Sequence, residues 1–477
     1  MIFKRLFISL FLFTGMVSFL FSQSGISTSA THSSGGVQGL PTLRVRASNP
    51  RLIEDVNGMP FFFAGSCPQS MIHDCNSSDV DAFFANRQAK HFNVAQVDIF
   101  APGAGNNLND PTDVYGNHFF LNGESFDSSN INNNYMKSLD YIISSAANHN
   151  QYVMINLPDF KDDFTVKIPF KQWYHLGQYL GKRWKDCMHV MFMFGNDYFV
   201  SSLENQLWTG IKQSMPNALT TTDDCYGDNK TSVTFLQPYD YRYISAPDSN
   251  FTTSLSWLTL DGWYHYRAPS YMAAQEYNRP NVTMPSFIAE AQYENETFGA
   301  NQWNQSDGSA RMIRNELWAE VLWGGSGFGI YGCDNWGVVS TMTNLNQAGA
   351  YSSQYCTDFF SSRAWYNLVP DKNHLFLTSQ SGMPSMKDET YVSAALTSDG
   401  TFGAIYYPGN SGSSFSMTIN MAKMSGTTTA RWYDPSNATY KSINGSPFAN
   451  SGSQTFNIPG GNSAGNNDWV LVLEAII

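Results

Sequence analysis

The runs YVMINL (Tyr152–Leu157), FKQWYHLGQYLGKRWKD (Phe170–Asp186) and HVMFMF (His189–Phe194) decide the fold. A β-rich apolar run, a helical pattern and a second β-rich apolar run follow one another, which is the order of a parallel βαβ unit. The alternation continues in both directions. Further strands are expected at Pro60–Gly65, Val94–Phe100, Leu219–Thr222, Leu258–Tyr264, Ser286–Ala289 and Phe328–Tyr331. Helices are expected at Ser78–His91, Asn134–His149, Ser202–Ser214, Tyr271–Tyr277 and Ala310–Leu322. Ser77 and Ser78 ahead of Asp79 and Asp81 mark a helix start with acidic residues in its first turn. Eight strands in roughly 300 residues fit a closed (β/α)8 TIM barrel better than an open sheet.

After Leu368 the texture changes. Short strand-like runs, Tyr391–Leu396, Thr401–Tyr407, Phe415–Asn420, Ala430–Tyr433 and Trp469–Leu473, alternate with turn clusters such as Ser398-Asp399-Gly400 and Gly460-Gly461-Asn462. That pattern predicts a small antiparallel β-sandwich. The expected organisation is therefore an α/β chain: signal peptide 1–22, flexible leader 23–39, barrel 40–370 and sandwich 371–477.

Reacting groups in such barrels sit where strands pass into loops on the C-terminal face. The fourth strand runs out through Phe194-Gly195-Asn196-Asp197, and the seventh through Phe287-Ile288-Ala289-Glu290. Their ends face one another across the mouth, and glycosidic bond cleavage needs two flanking carboxyls, one to donate a proton and one as nucleophile or base. Asp197 and Glu290 are the candidate catalytic pair. An Asp after a strand can also be the N-cap of the next helix, and Ser201, Ser202 and Glu204 open one. Glu is a poor N-cap, so Glu290 is the more telling of the two. Glu294, in Tyr293-Glu294-Asn295-Glu296, is its competitor, and Tyr293 and Glu294 are expected to meet substrate. By position alone, Asp98, Asp159, Asp223, His265 and Asp334 are rim candidates, each equally explicable as a loop-ordering residue. Trp263 and Trp336 either stack on a sugar ring or fill the core, with stacking favoured for Trp336.

Composition agrees with a sugar ligand and excludes other classes. Net charge is −12 with only 14% charged residues, which leaves no basic patch for nucleic acid. Aromatic residues make up 15%, including 12 Trp and 25 Tyr, and flat rings suit the apolar faces of sugars, although a large core would use them too. No His-Glu-x-x-His and no Cys-x-x-Cys occur, so no metal or cofactor is expected. Gly327-Phe328-Gly329-Ile330-Tyr331-Gly332 spells G-x-G-x-x-G, but no helix pattern opens after it, so the dinucleotide reading fails. A serine-hydrolase elbow and a P-loop are also absent from the sequence.

The chain opens with Lys4 and Arg5, an apolar run Leu6–Phe21, and the small residue Ser22 before Gln23. This reads as a secretory signal, with a retained anchor as the competing reading. Export implies that the six cysteines pair. Nearest-neighbour bonds Cys67–Cys75, Cys187–Cys225 and Cys333–Cys356 close the shortest loops and are the expectation. Sequons at Asn76, Asn229, Asn250 and Asn437 are no denser than chance in a chain so rich in Asn, Ser and Thr. The mature protein is expected to be secreted, extracellular or periplasmic, monomeric and free of the membrane.

A family resemblance gathers these features. Asp55–Phe63 (DVNGMPFFF) resembles the opening D-x-x-G-x-P-F-F of the apiosidase-like glycoside hydrolases, and Asn86–Val94 (NRQAKHFNV) their R-x-x-K-G-F-N-V. Phe194–Asp197, Ala289–Glu294, Trp323–Gly332 and Arg363–Asp371 continue in the family's order, so the resemblance runs from about Leu43 to Leu473. It implies a barrel glycosidase with a C-terminal sandwich of collagen-binding type. On that resemblance Asp197 is the general acid/base and Glu290 the nucleophile of a retaining mechanism, and Asn196 donates to the sugar 2-hydroxyl. Retention further implies carboxyls roughly 5–5.5 Å apart rather than 6.5–9.5 Å. The first strand departs from the family's Gly-Asp-Thr and Trp, reading Gly65-Ser66-Cys67-Pro68-Gln69, while Ala289 and Ala291 replace a usual Gly and Pro. The implied substrate is plant cell-wall or related polysaccharide. The alternative is a non-catalytic carbohydrate-binding or adhesion protein on a degenerate barrel.

Overall fold

The computed structural model describes residues 40–100, 111–157, 168–195, 201–223, 256–264, 268–279, 284–295, 308–333, 343–380, 385–386, 389–409 and 415–476. All belong to one compact unit, Val37–Ile477. The signal and leader residues 1–39 lie outside the described residues.

A hairpin of β1 (Leu43–Val45) and β2 (Ile53–Asp55) precedes eight parallel strands. These are β3 (Phe63–Ser66), β4 (Val94–Asp98), β5 (Tyr152–Asn156), β6 (Val190–Gly195), β7 (Thr220–Asp223), β8 (Asp261–Tyr264), β9 (Ser286–Glu290) and β10 (Gly327–Tyr331). Their order is β7-β6-β5-β4-β3-β10-β9-β8. The two ends meet: the Thr259 and Leu260 amides donate to Thr220 O at 3.1 and 3.0 Å, and the Gly262 amide donates to Thr221 Oγ1 at 3.0 Å. Eight strands thus curl into the expected barrel.

Alternate side chains face opposite ways along each strand. Phe63, Val94, Tyr152, Met154, Met191, Met193, Phe287 and Ala289 fill the interior, and Leu43 and Ile53 of the hairpin join that cluster. Ala95, Val97, Val153, Ile155, Phe192 and Phe194 face outward against the helices. Those helices are α1 (Met71–Asp74), α2 (Ser77–Ala89), α3 (Asn133–Asn148), α4 (Phe170–Trp184), α5 (Ser201–Ile211), α6 (Pro269–Asn278), α7 (Ala310–Leu322) and α8 (Ala348–Ser361). The cap of α2 falls at Asn76, just before the two serines: its side chain accepts from the Ser78 and Asp79 amides, and Asp79 accepts from the Asn76 amide in return.

The G-x-G-x-x-G letters have a steric explanation. Gly327 and Gly329 have φ of +136° and +97°, which side chains rarely tolerate. A Cβ on Gly329 would lie 2.4 Å from the backbone of Ile288. These glycines let β10 press against its neighbours in the ring.

Beyond α8 the sheets are antiparallel. One has the order β11-β13-β14-β19-β16-β17 and the other β12-β15-β18. Their strands are β11 (Leu368–Pro370), β12 (Leu377–Gln380), β13 (Ser393–Thr397), β14 (Phe402–Tyr407), β15 (Ser416–Asn420), β16 (Thr428–Asp434), β17 (Thr439–Ser442), β18 (Ser453–Asn457) and β19 (Trp469–Ala475). Ile405, Tyr407, Met417, Ile419, Trp432, Phe456 and Leu471 form the core between the sheets. A second core joins this part to the barrel, where Trp318 of α7 stacks on Tyr406 (centroids 5.8 Å apart) and packs against Phe359 and Phe360. Within it Arg314 of α7 holds Asp468 with two bonds of 2.6 and 2.9 Å, both side chains buried.

Among the described residues Cys67, Cys75, Cys187, Cys333 and Cys356 form none of the expected disulfides, and Cys225 lies outside the described residues. Sequence separation alone suggested those pairs, whereas local structure gives the thiols other surroundings. Cys67 meets Tyr293 at the barrel mouth, Cys75 ends α1, and the Cys333 thiol donates to Asn344 O at 3.7 Å. Burial pushes Cys75 up to about 12 and Cys187 up to about 11, so both stay protonated at neutral pH.

Candidate active site

The described mouth of the barrel is built from strand ends. Asp98 closes β4, Asn156 closes β5, Asp223 closes β7 and Glu290 closes β9, and all four are buried. The Asn156 amide donates to Asp98 Oδ1 at 3.0 Å, and the Asp98 backbone amide donates to Gln69 O at 3.1 Å. Cys67, directly after β3, is tied by its amide to Tyr331 O at 3.0 Å, and its thiol shares a 3.7 Å hydrogen bond with the Tyr293 hydroxyl.

The electrostatics of Cys67 link these strand ends. The Cys67 thiol is held well above its ordinary range, first by burial, then by the negative charge of Glu290; Tyr293 opposes the shift, and Asp98 and Asp223 add to it. Three carboxylates from three different strands therefore act on a single atom at the C-terminal end of the ring.

The segment after Glu290 is tied down residue by residue. The Gln292 amide donates to Glu316 Oε1 of α7 at 3.2 Å, and the Asn295 amide to Gly308 O at 2.7 Å. The Tyr293 ring lies against Gly332, where a Cβ would stand 2.2 Å from its Cδ1. Glu294 pairs with Cys333 in a bridge, and its amide donates to Gly332 O at 3.0 Å. Its carboxylate accepts from the Tyr331 hydroxyl at 2.5 Å and from the Gly349 amide at 2.8 and 2.9 Å. Gly349 belongs to the first turn of α8, so Glu294 sits where a helix dipole favours negative charge. Behind Tyr331 lies the buried Arg87 guanidinium, stacked on Phe83 and Phe92 at 5.0 Å and donating to Leu345 O at 3.1 Å. Burial pulls the proton affinity of Arg87 down, against the pull of Tyr331, Cys333 and Glu294.

Of the residues singled out in the sequence, Tyr293 bonds to Cys67, and the negative charges of Glu290, Asp98 and Asp223 bear on its thiol. Glu294 adjoins them, with both carboxylate oxygens bonded to Tyr331 and α8. Trp263 is wholly buried among Met272, Ala273, Ile288 and Trp323, so it fills the core. Asp159, Asn196, Asp197, His265, Asp334 and Trp336 lie outside the described residues; β6 reaches Gly195, two positions before Asp197. Asn156, Arg87 and Tyr331 escaped the sequence reading. Asn156 ends a strand as Asp98 does, but a search limited to carboxylates passes over it. Among the described residues no cluster of three or more His, Cys, Asp or Glu is placed to hold a metal ion.

Comparison with known proteins identifies the family. The profile described as "Apiosidase-like, catalytic domain" matches residues 47–367, and that described as "Putative collagen-binding domain of a collagenase" matches residues 369–474. A search of curated proteins found no match. Among solved structures, a glycoside hydrolase family 5 protein from Bacteroides vulgatus superposes with a TM-score of 0.74 at 18% identity, covering 91% of this chain and 94% of its own. A second structure, titled simply "Glycoside hydrolase", superposes with a TM-score of 0.74 at 19% identity, covering 91% and 97%. These likenesses establish the fold. The profile match, spanning well over half of the chain, establishes the family: the chain belongs to the apiosidase-like family and is a glycoside hydrolase.

Proposed function

We propose that this member of the apiosidase-like family is an exported, configuration-retaining glycosidase acting on plant cell-wall or related polysaccharide. Glu290 attacks the anomeric carbon, and Asp197 protonates the leaving oxygen and then activates water. Asn196 donates to the sugar 2-hydroxyl, with Asp98, Tyr293 and the rim residues Asp159, His265, Asp334 and Trp336 around the sugar. The observation that carries this reading is the placement of Glu290. It is buried at the C-terminal end of β9, beside the same thiol that Asp98 and Asp223 act upon. In a (β/α)8 barrel that end is where chemistry is done, whereas the opposite end serves stability. Strand β6, which leads to Asp197, stands three places from β9 around the ring. That separation suits two carboxyls facing each other over a cleft.

Glu290 is favoured over Glu294 as nucleophile because it ends strand β9 itself, whereas Glu294 lies four residues on, with its carboxylate bonded to Tyr331 and Gly349. A carboxylate bonded to a phenol and a helix N-terminus would have to give up those bonds to attack. Incubation with pectic, arabinan and xylan oligosaccharides, with the product anomer followed by NMR, tests the proposal. A first-formed product of retained configuration, lost in Glu290→Ala, supports it. An inverted product removes the retaining mechanism. Near-normal turnover in Glu290→Ala together with loss in Glu294→Ala moves the nucleophile to Glu294. No turnover on any glycoside leaves a carbohydrate-binding role on an inactive barrel. Export is tested by sequencing the N-terminus of protein recovered outside the cell, which should begin at Gln23.

A further inference from the structure

We propose that Cys67 is a positioning residue for Glu290, acting through Tyr293: the thiol after β3 and Gly332 after β10 grip the Tyr293 ring and so fix the short segment that carries the nucleophile. The inference rests on the reading of Glu290 given above.

Three observations support it. Cys67 is itself anchored, because its amide bonds to Tyr331 O on the neighbouring strand β10. Its side chain belongs to the cluster that fills the barrel, together with Phe63, Ala289 and Tyr293, so it faces the interior and not the helices. The Tyr293 ring packs against Gly332, where a single added carbon would overlap its edge, and its hydroxyl shares a hydrogen bond with the thiol. Tyr293 is only three residues from Glu290, and the chain between them is pinned to α7 at Gln292. A grip on the ring is therefore transmitted to the carboxylate through a short, constrained backbone. Misplacing a reacting group by about 1 Å can lower a rate roughly a hundredfold, so such a clamp matters.

The chemistry of the side chain fits the position. A thiol fills the space between a phenol and three carboxylates without adding a charge. Burial and the nearby anions keep it protonated. A carboxylate at the same position would face Glu290, Asp98 and Asp223 at close range, and neighbouring like charges raise one another's proton affinity.

Two experiments decide the matter. In the first, kcat and KM are measured for Cys67→Ala, Cys67→Ser and Cys67→Asp on a substrate that the wild type cleaves. Cys67→Ala should lose about tenfold in kcat with KM little changed, the split expected when a group that acts only in the transition state is misplaced. Cys67→Ser should recover part of that loss. In Cys67→Asp the acid limb of the pH profile should move to higher pH by about one unit. Wild-type kcat in Cys67→Ala, or an unmoved limb in Cys67→Asp, overturns the proposal. The second experiment needs no turnover. Alkylation of Cys67 by iodoacetamide is followed by peptide mass spectrometry in the wild type, Tyr293→Phe and Glu290→Gln. Both variants should react several-fold faster at pH 8–9, one through a loosened clamp and the other through a lost anion. Equal rates in all three overturn the proposal even in an active enzyme, whereas faster alkylation in a protein that cleaves nothing supports the clamp while the glycosidase mechanism fails.

Discussion

The barrel buries carboxyl groups at both ends, and the two clusters are built differently. At the mouth, Asp98, Asp223 and Glu290 end strands and surround a thiol and a phenol. At the base, Asp261 and Ser286 begin β8 and β9, Glu276 comes from α6 and Glu320 from α7. There the partners are supplied by the fold: Arg279 binds Glu276 at 2.8 Å, and the Ser286 hydroxyl donates to Glu320 at 2.9 Å. Burial holds Asp261 well above its ordinary range, aided by Glu276 and Glu320 and opposed by Arg279, and burial pushes Glu320 up to about 8. At the base each of these contacts is made between residues of the fold itself. The mouth gathers carboxylates from three separate strands at their C-terminal ends. In such barrels the C-terminal strand ends serve chemistry and the opposite ends stability, and on the proposed function the two clusters divide that way.

The sharpest way to break this comparison is to neutralise one carboxylate at each end. Glu290→Gln should lower kcat by about a thousandfold or more, with no loss of thermal stability, as read by steady-state kinetics and calorimetry. A variant that unfolds early would place Glu290 with the structural carboxylates instead. At the base, Glu276→Ala removes the carboxylate that holds the Arg279 guanidinium at 2.8 Å, and the Arg279 side chain is 16% exposed. Breaking a buried pair from one side typically costs about 3–5 kcal/mol, and the partial exposure of Arg279 argues for the lower end. Urea titration should show that loss while kcat per folded molecule stays near wild type.

Sequence made the barrel legible because alternation is a periodic signal: each of the eight expected strands corresponds to a strand of the ring, with ends shifted by a few residues. Helix α8, Ala348–Ser361, escaped notice because AGAYSSQYCTDFFS carries a single charged residue and no obvious polar face. Glu290 was legible from its place after an apolar run. Its competitor Glu294 could not be judged that way, since what distinguishes it is contact with Tyr331 and Gly349, 37 and 55 residues away. The cysteines mislead for the same reason: short spacing suggested bonds, while the fold carries Cys67 to Tyr293, 226 residues distant. Family resemblance marked the Gly65–Gln69 segment as unusual without saying what the change does.

A pH dependence sharpens the contrast at the base. Glu320 titrates near 8 in the folded protein against an ordinary value of 4.5, so the folded state binds this proton more tightly than the unfolded chain. Its contribution is fully present below about pH 4.5 and is lost as pH rises through 8. Asp261 acts in the same direction. The melting temperature should therefore fall between pH 5 and pH 9. Glu320→Gln, which mimics the protonated form, should flatten that slope, leaving Tm near wild type at pH 5 and above it at pH 9. An unchanged slope would remove Glu320 from the account.

The smallest expected effect lies back at the mouth, in Asp98→Asn. The substitution keeps the shape, and the amide oxygen can still accept from the Asn156 Nδ2 that now donates to Asp98 Oδ1 at 3.0 Å. What disappears is one negative charge among three. With that charge gone, Glu290 should be easier to ionise, so the acid limb of the kcat/KM profile should move to lower pH, opposite to the shift expected for Cys67→Asp. If the Asp98 carboxylate also accepts a hydrogen bond from a sugar hydroxyl, kcat/KM should fall about tenfold, near 1.4 kcal/mol. Thermal stability should stay within the small range of a shape-preserving change. The two variants thus push one profile in opposite directions from neighbouring strand ends, and no effect on folding can do that. If both limbs stay where the wild type has them, the mouth carboxylates do not sense one another, and the mouth is as self-contained as the base.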